Sequence, residues 1–99
     1  MTTNGVESES TSEDAFTIVN ELGLHARAAA KLVTLASRHA CEVELEKDGQ
    51  VANAKSVMGV LLLCGGPGSR IVVRARGPDA VPAVAAIGVL IASRFGEER

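Results

Sequence analysis

The chain has 99 residues, 46% of them apolar and only two aromatic, which is enough for one small domain with a single core. Its formal charge of −2 conceals an acidic start: Glu7, Glu9, Glu13 and Asp14 precede the first base, and residues 15–99 carry a formal +2. With Phe16 and Phe95 as the only aromatics, a stacking platform for single-stranded nucleic acid is excluded, and a mildly basic body suits acidic protein partners.

Residues 1–14, M-T-T-N-G-V-E-S-E-S-T-S-E-D, bury too little to offset their ordering entropy and are expected as a disordered acidic tail ahead of one domain over 15–99. They carry no basic-then-apolar leader, so the expected location is the cytoplasm. Residues 15–20 (A-F-T-I-V-N) read as a first strand, with Phe16 and Ile18 sharing one face. Glu21-Leu22-Gly23 breaks it. From Ala26 to about Ser37 the apolar residues fall at helical spacing. His39, near the end of that helix, is read as an ordinary helix-terminal residue.

Residues 40–47 alternate: Cys41, Val43 and Leu45 face one way and Glu42, Glu44 and Glu46 the other, as in a half-buried strand. Asp48-Gly49 predicts a tight hairpin into a short strand over 50–53. Ser56 caps a short, very apolar second helix. Too many of its residues are apolar for one buried face, so some must be exposed. The longest strongly apolar run, residues 57–64, is far too short to span a bilayer, and no membrane partner is expected. Cys64 opens a glycine-rich turn that lacks the Gly-Lys-Ser/Thr ending of a phosphate loop and leads into a strand instead of a helix. Cys41 and Cys64 lack the paired spacing of a zinc or redox motif and are expected as buried thiols.

Residues 70–76 (R-I-V-V-R-A-R) form the fourth strand, with Ile71, Val73 and Ala75 inward and Arg70, Arg74 and Arg76 outward. The outward arginines match the outward glutamates of the second strand in spacing and opposite sign, as neighbouring strands would. Gly77-Pro78-Asp79 opens a third helix with Asp79 as the expected cap. Val81, Val84, Ala85, Gly88, Ile91, Ala92 and Phe95 form the expected buried stripe, and Gly96 the stop. A charged sheet face is a wet face, so all three helices belong on the other one: a two-layer α+β domain.

The chemistry concentrates at Gly23-Leu24-His25-Ala26-Arg27, where the strand pattern gives way to a helix. The first N–H groups of a helix lack internal partners and carry positive character, which stabilises a phosphoryl group there. A histidine at that entry can carry such a group covalently, and Arg27 can add charge-assisted hydrogen bonds. The ordinary alternative is a histidine that merely caps the helix.

Two motifs weigh against that alternative: G-L-H-A-R at 23–27 and A-K-S-V-M-G-V at 54–60. Together they resemble HPr, the histidine-containing phosphocarrier of the bacterial phosphotransferase system. The resemblance runs over residues 15–96, and the I-V-N-E-L-G-L-H-A-R start and S-R-F-G-E end resemble the proteobacterial HPr/NPr-like branch. It implies an open-faced β-sandwich, a four-stranded antiparallel sheet in order 1-4-2-3 with three helices on one face, which makes the fourth and second strands neighbours. It also implies that His25 accepts a phosphoryl group at Nδ1 from phosphorylated Enzyme I, ultimately from phosphoenolpyruvate, with Arg27 stabilising the phosphate. His25 then passes the group to an Enzyme IIA-type acceptor. Ser56 matches the family's regulatory phosphorylation site, the substrate of HPr kinase/phosphorylase where one exists. Val57, Met58 and Leu61 match its partner-docking positions.

On this reading the chain is a phosphorylated intermediate rather than a turnover enzyme, without cofactor or metal, and acts as a monomer. It departs from the family at Ala28, where most carriers have proline, and at Leu22, where many have Ser or Asn. Transfer is expected to survive because His25 and Arg27 are intact. Two other readings remain at this point: a purely regulatory HPr-like protein without sugar transport, and a non-covalent small-molecule-binding α+β domain.

Overall fold

The computed structural model describes residues 10–99, so the expected tail over residues 1–9 lies outside the described part. The elements run β1 (Thr11–Thr17), α1 (Ala26–Ser37), β2 (Glu42–Lys47), β3 (Gln50–Asn53), α2 (Val57–Leu62), β4 (Arg70–Arg76) and α3 (Ala80–Ala92), followed by a 3-10 turn (Arg94–Gly96). The four strands form one sheet in the order β1-β4-β2-β3, antiparallel throughout. This is the expected open-faced α+β sandwich.

Local chemistry accounts for most of these elements. Alternation of apolar and charged residues sets β2 and β4: Val43, Leu45, Ile71, Val73 and Ala75 are buried beneath the helices. Asp48 and Gly49 both take positive φ (51° and 84°), the conformation a two-residue Asp-Gly hairpin requires. On the open face, Glu42 pairs in register with Arg76 and Glu44 with Arg74. The Arg74 guanidinium donates to Glu13 at 2.9 Å and Glu46 at 2.5 Å, and Arg76 donates to Glu42 at 2.6 Å. The charge match between the two strands therefore reported true neighbours.

Five expectations need correction. Residues 11–14, assigned to the tail, belong to β1, which pairs with β4 from Thr11↔Arg76 to Thr17↔Arg70. An edge strand can be held by backbone bonds and by a contact such as Glu13–Arg74, so it needs no apolar alternation of its own. The strand also stops before residue 20, because Ile18 exchanges backbone bonds with Ser69 and Gly68 in the glycine-rich turn (2.9 and 2.8 Å).

Asp79 does not cap α3 with its side chain. Its carboxylate accepts instead from the N–H groups of Ala40 and Cys41 at 3.0 and 2.9 Å, tying the start of α3 to the entry of β2. Burial pushes this carboxyl up, but the hydrogen bonds from Ala40 and Cys41 outweigh it and hold the group below the usual range.

The buried stripe of α3 is Ala80, Ala83, Val84, Ile87, Gly88 and Ile91, leaving Val81, Ala85 and Ala92 exposed. Almost every residue of this helix is apolar, so periodicity could not select the face. Packing against the sheet did: a Cβ on Gly88 would lie 2.3 Å from the Phe16 ring. Finally, Cys41 is buried as expected but Cys64 is exposed, turned outward by a left-handed backbone (φ 54°) just after α2.

Candidate functional site

The junction before α1 is built by close backbone packing. Gly23 has φ +65°, and a Cβ there would lie 2.4 Å from the carbonyl oxygen of Gly65. That same carbonyl accepts from Leu24 N–H at 2.8 Å. The glycine-rich turn thus acts as a seat for the Gly23–Leu24 peptide, which fixes where His25 stands.

His25 is the N-cap of α1, with extended backbone (φ −72°, ψ 176°). Its Nδ1 accepts from the N–H of Arg27 at 3.2 Å, and its carbonyl accepts from Ala29 N–H at 2.8 Å. An accepting Nδ1 carries no proton, so the neutral ring holds its proton on Nε2. Nε2 meets the Glu97 carboxylate, at Oε2. The ring is a quarter exposed, so an attacking or receiving molecule can reach it. Arg27, second residue of the helix, is exposed beside it, and Ala28 is buried.

Glu97 is a member of this site that sequence reading missed. It lies 72 residues from His25 in the chain. Its Oε1 accepts from Nδ2 of Asn20, a fully buried side chain that also donates to Gly23 O at 2.8 Å. Hydrogen bonds from His25 and then Asn20 hold the Glu97 carboxyl below the ordinary carboxylate range, so it is ionised at neutral pH. The only local sign was Phe95-Gly96, which marks a chain turn but not its direction.

Ser56 caps α2 as expected, its Oγ accepting from Gly59 N–H at 3.1 Å. α1 packs beside α2. Of the expected docking positions, Val57 (40%) and Met58 (65%) are exposed, whereas Leu61 is half-buried against the core and Leu62 (61%) stands outside. Leu22 is exposed too. A shallow groove on α1 gathers Arg27, Lys31 and Arg38 around Leu35 and, from α3, Leu90. His39 lies just past the end of α1, its Nδ1 3.2 Å from Leu35 O. Among the described residues no group of His, Cys, Asp and Glu could hold a metal, and no helix is long and apolar enough to cross a membrane.

Comparison with known proteins gives a consistent picture. Residues 12–93 match the family described as PTS HPr component phosphorylation site. Phosphocarrier protein HPr of Cupriavidus necator is 48% identical over 81 residues, covering 82% of this chain and 91% of that protein. Phosphocarrier protein NPr of Shewanella violacea is 44% identical over 85 residues, covering 86% and 93%. The crystal structure of HPr-C-His from Thermoanaerobacter tengcongensis superposes with a TM-score of 0.86 at 41% identity, covering 89% of this chain and 99% of that one.

Proposed function

The chain belongs to the HPr family and is a phosphocarrier of the phosphotransferase system, and we propose that His25 is the residue that carries the phosphoryl group. The observation that carries this reading is the cap geometry: Nδ1 is unprotonated and aimed at the Arg27 N–H at the positive end of α1. In the transfer, Nδ1 attacks the phosphorus of phosphorylated Enzyme I, itself charged by phosphoenolpyruvate. As the new N–P bond takes the Nδ1 lone pair, the Arg27 N–H is released to a phosphoryl oxygen. The Arg27 guanidinium adds charge-assisted bonds to the dianion. The group then passes to an Enzyme IIA-type acceptor.

Val57 and Met58, with Leu61 behind them, form the apolar docking patch, and the exposure of Leu62 extends it. The basic groove of Arg27, Lys31 and Arg38 supports acidic partners. Ser56 is the regulatory phosphorylation site, a substrate for an HPr kinase/phosphorylase. A phosphate there is compatible with the start of α2 and would repel acidic partners from the patch. The carrier works in the cytoplasm as a monomer. The test is incubation with Enzyme I, phosphoenolpyruvate and Mg²⁺, read by intact mass. An acid-labile gain of one phosphoryl group, absent from His25→Ala, supports the reading; a gain retained in His25→Ala overturns it.

A further inference from the structure

We propose that the backbone N–H of Ala28 is a second main-chain donor to the phosphoryl group on His25, idle in the unphosphorylated carrier and engaged once Nδ1 is phosphorylated. This rests on the reading of His25 as the carrier and adds a group that holds the phosphate.

A side chain at the N-cap can accept from the second or the third N–H of its helix. In α1 those donors belong to Arg27 and Ala28. Neutral imidazole has one lone pair at Nδ1, and it goes to Arg27 N–H at 3.2 Å. The N–H of Ala29 reaches the His25 carbonyl at 2.8 Å. Ala28 lies between these two, and among the described residues its N–H finds no acceptor. Bulk water cannot serve it either, because Ala28 is fully buried. Ala26, at the first position of the helix, is exposed and open to solvent.

A buried N–H without a partner is rare in folded proteins and costs stability. Here the orphan is next in the helix to the N–H that the attacking nitrogen faces. On phosphorylation the Nδ1 lone pair becomes the N–P bond, while the donor's own bond to phosphorus breaks and its electron pair stays with the donor. A single acceptor at Nδ1 is thereby replaced by the three oxygens of a dianionic phosphoryl group. One oxygen takes the Arg27 N–H, a second takes that of Ala28, and the third is left to the Arg27 guanidinium and solvent. Engaging Ala28 breaks no existing bond, so the whole interaction favours the phosphorylated state over the free one. Most carriers of the family have proline at this position, which has no N–H to offer. The donor is therefore a feature of this chain's own sequence.

Isotope-labelled carrier is phosphorylated with Enzyme I and phosphoenolpyruvate, and its amide NMR spectra are compared before and after. The Ala28 amide proton is expected to move downfield together with that of Arg27, as an N–H that gains a charged acceptor does. An Ala28 amide that stays in place while Arg27 moves overturns the proposal and leaves His25 as the carrier. A second measurement reads the energy. Wild type is mixed with Ala28→Pro or Ala28→Gly, catalytic Enzyme I and limiting phosphoenolpyruvate, and intact mass reports how the phosphoryl group is shared at equilibrium. Ala28→Pro removes the donor within the first turn, where proline is tolerated. It is expected to compete about tenfold less well than wild type, the low end for a hydrogen bond to a charged group. Ala28→Gly keeps the N–H and is expected to match wild type within about twofold. Equal sharing with Ala28→Pro, or an equal loss in Ala28→Gly, overturns the proposal. If Ala28→Pro does not fold, the wild-type amide shift decides alone. Wild type that gains no phosphoryl group on His25 overturns the carrier reading and this proposal with it.

Discussion

The two nitrogens of His25 have separate surroundings: Nδ1 faces a helix N–H and Nε2 faces a carboxylate. This asymmetry sets the neutral tautomer before any partner arrives. It also links stability to acid. Glu97 is held below its ordinary range, so its contribution to stability is present above the unfolded carboxylate value and is lost as pH falls through the lower folded value. The denaturation midpoint of wild type should exceed that of Glu97→Gln at about pH 7, and the gap should close below about pH 4. Urea titrations across that range check it; a gap that persists in acid would mean the carboxylate charge is not its source. Gly23 is the other residue where one atom decides the outcome. Gly23→Ala combines a left-handed backbone with a backbone clash against Gly65, and should cost about 1–3 kcal/mol, read as a lower denaturation midpoint.

Among the elements, α2 presents one buried and one exposed apolar face. Val60 holds it to the core while Met58 and Leu62 remain outside. Met58→Glu should therefore leave the melting temperature nearly unchanged and reduce the rate of phosphorylation by Enzyme I about tenfold at subsaturating concentration. Equal losses of stability and rate would place Met58 in the core instead. The cap of α2 is separable from that surface. Ser56→Ala removes the acceptor for Gly59 N–H and should cost about 1 kcal/mol, whereas Ser56→Asp should restore the cap and still weaken docking. Denaturation curves and phosphorylation kinetics on the same pair of variants separate the two effects. α1 was legible almost to the residue, because His25, the alanine-rich start and the spacing of Leu32 and Ala36 all speak locally.

At the scale of the molecule, the sheet edge carries the clearest departure from the sequence reading. Thr11–Thr17 lies along β4 with a polar first half, so alternate amides over residues 11–17 should exchange slowly with solvent deuterium. Uniformly fast exchange there would return residues 11–14 to a disordered tail. By itself, the sequence determined the elements with a local signal: the alternating strands, the Asp-Gly hairpin, the His25 and Ser56 caps, and the β2–β4 neighbourhood written in opposite charges. It also offered His25 and Arg27 as candidates for phosphate chemistry, since a helix entry concentrates anion-binding groups within a few residues. The tertiary structure alone decided which face of the uniformly apolar α3 is buried, that Cys64 and Leu62 point outward, that residues 11–14 join the sheet, and that Asp79 ties down β2. It alone brought Glu97 to His25. Each of these depends on where a distant stretch of chain returns, and such a meeting leaves no periodicity in the residues that make it.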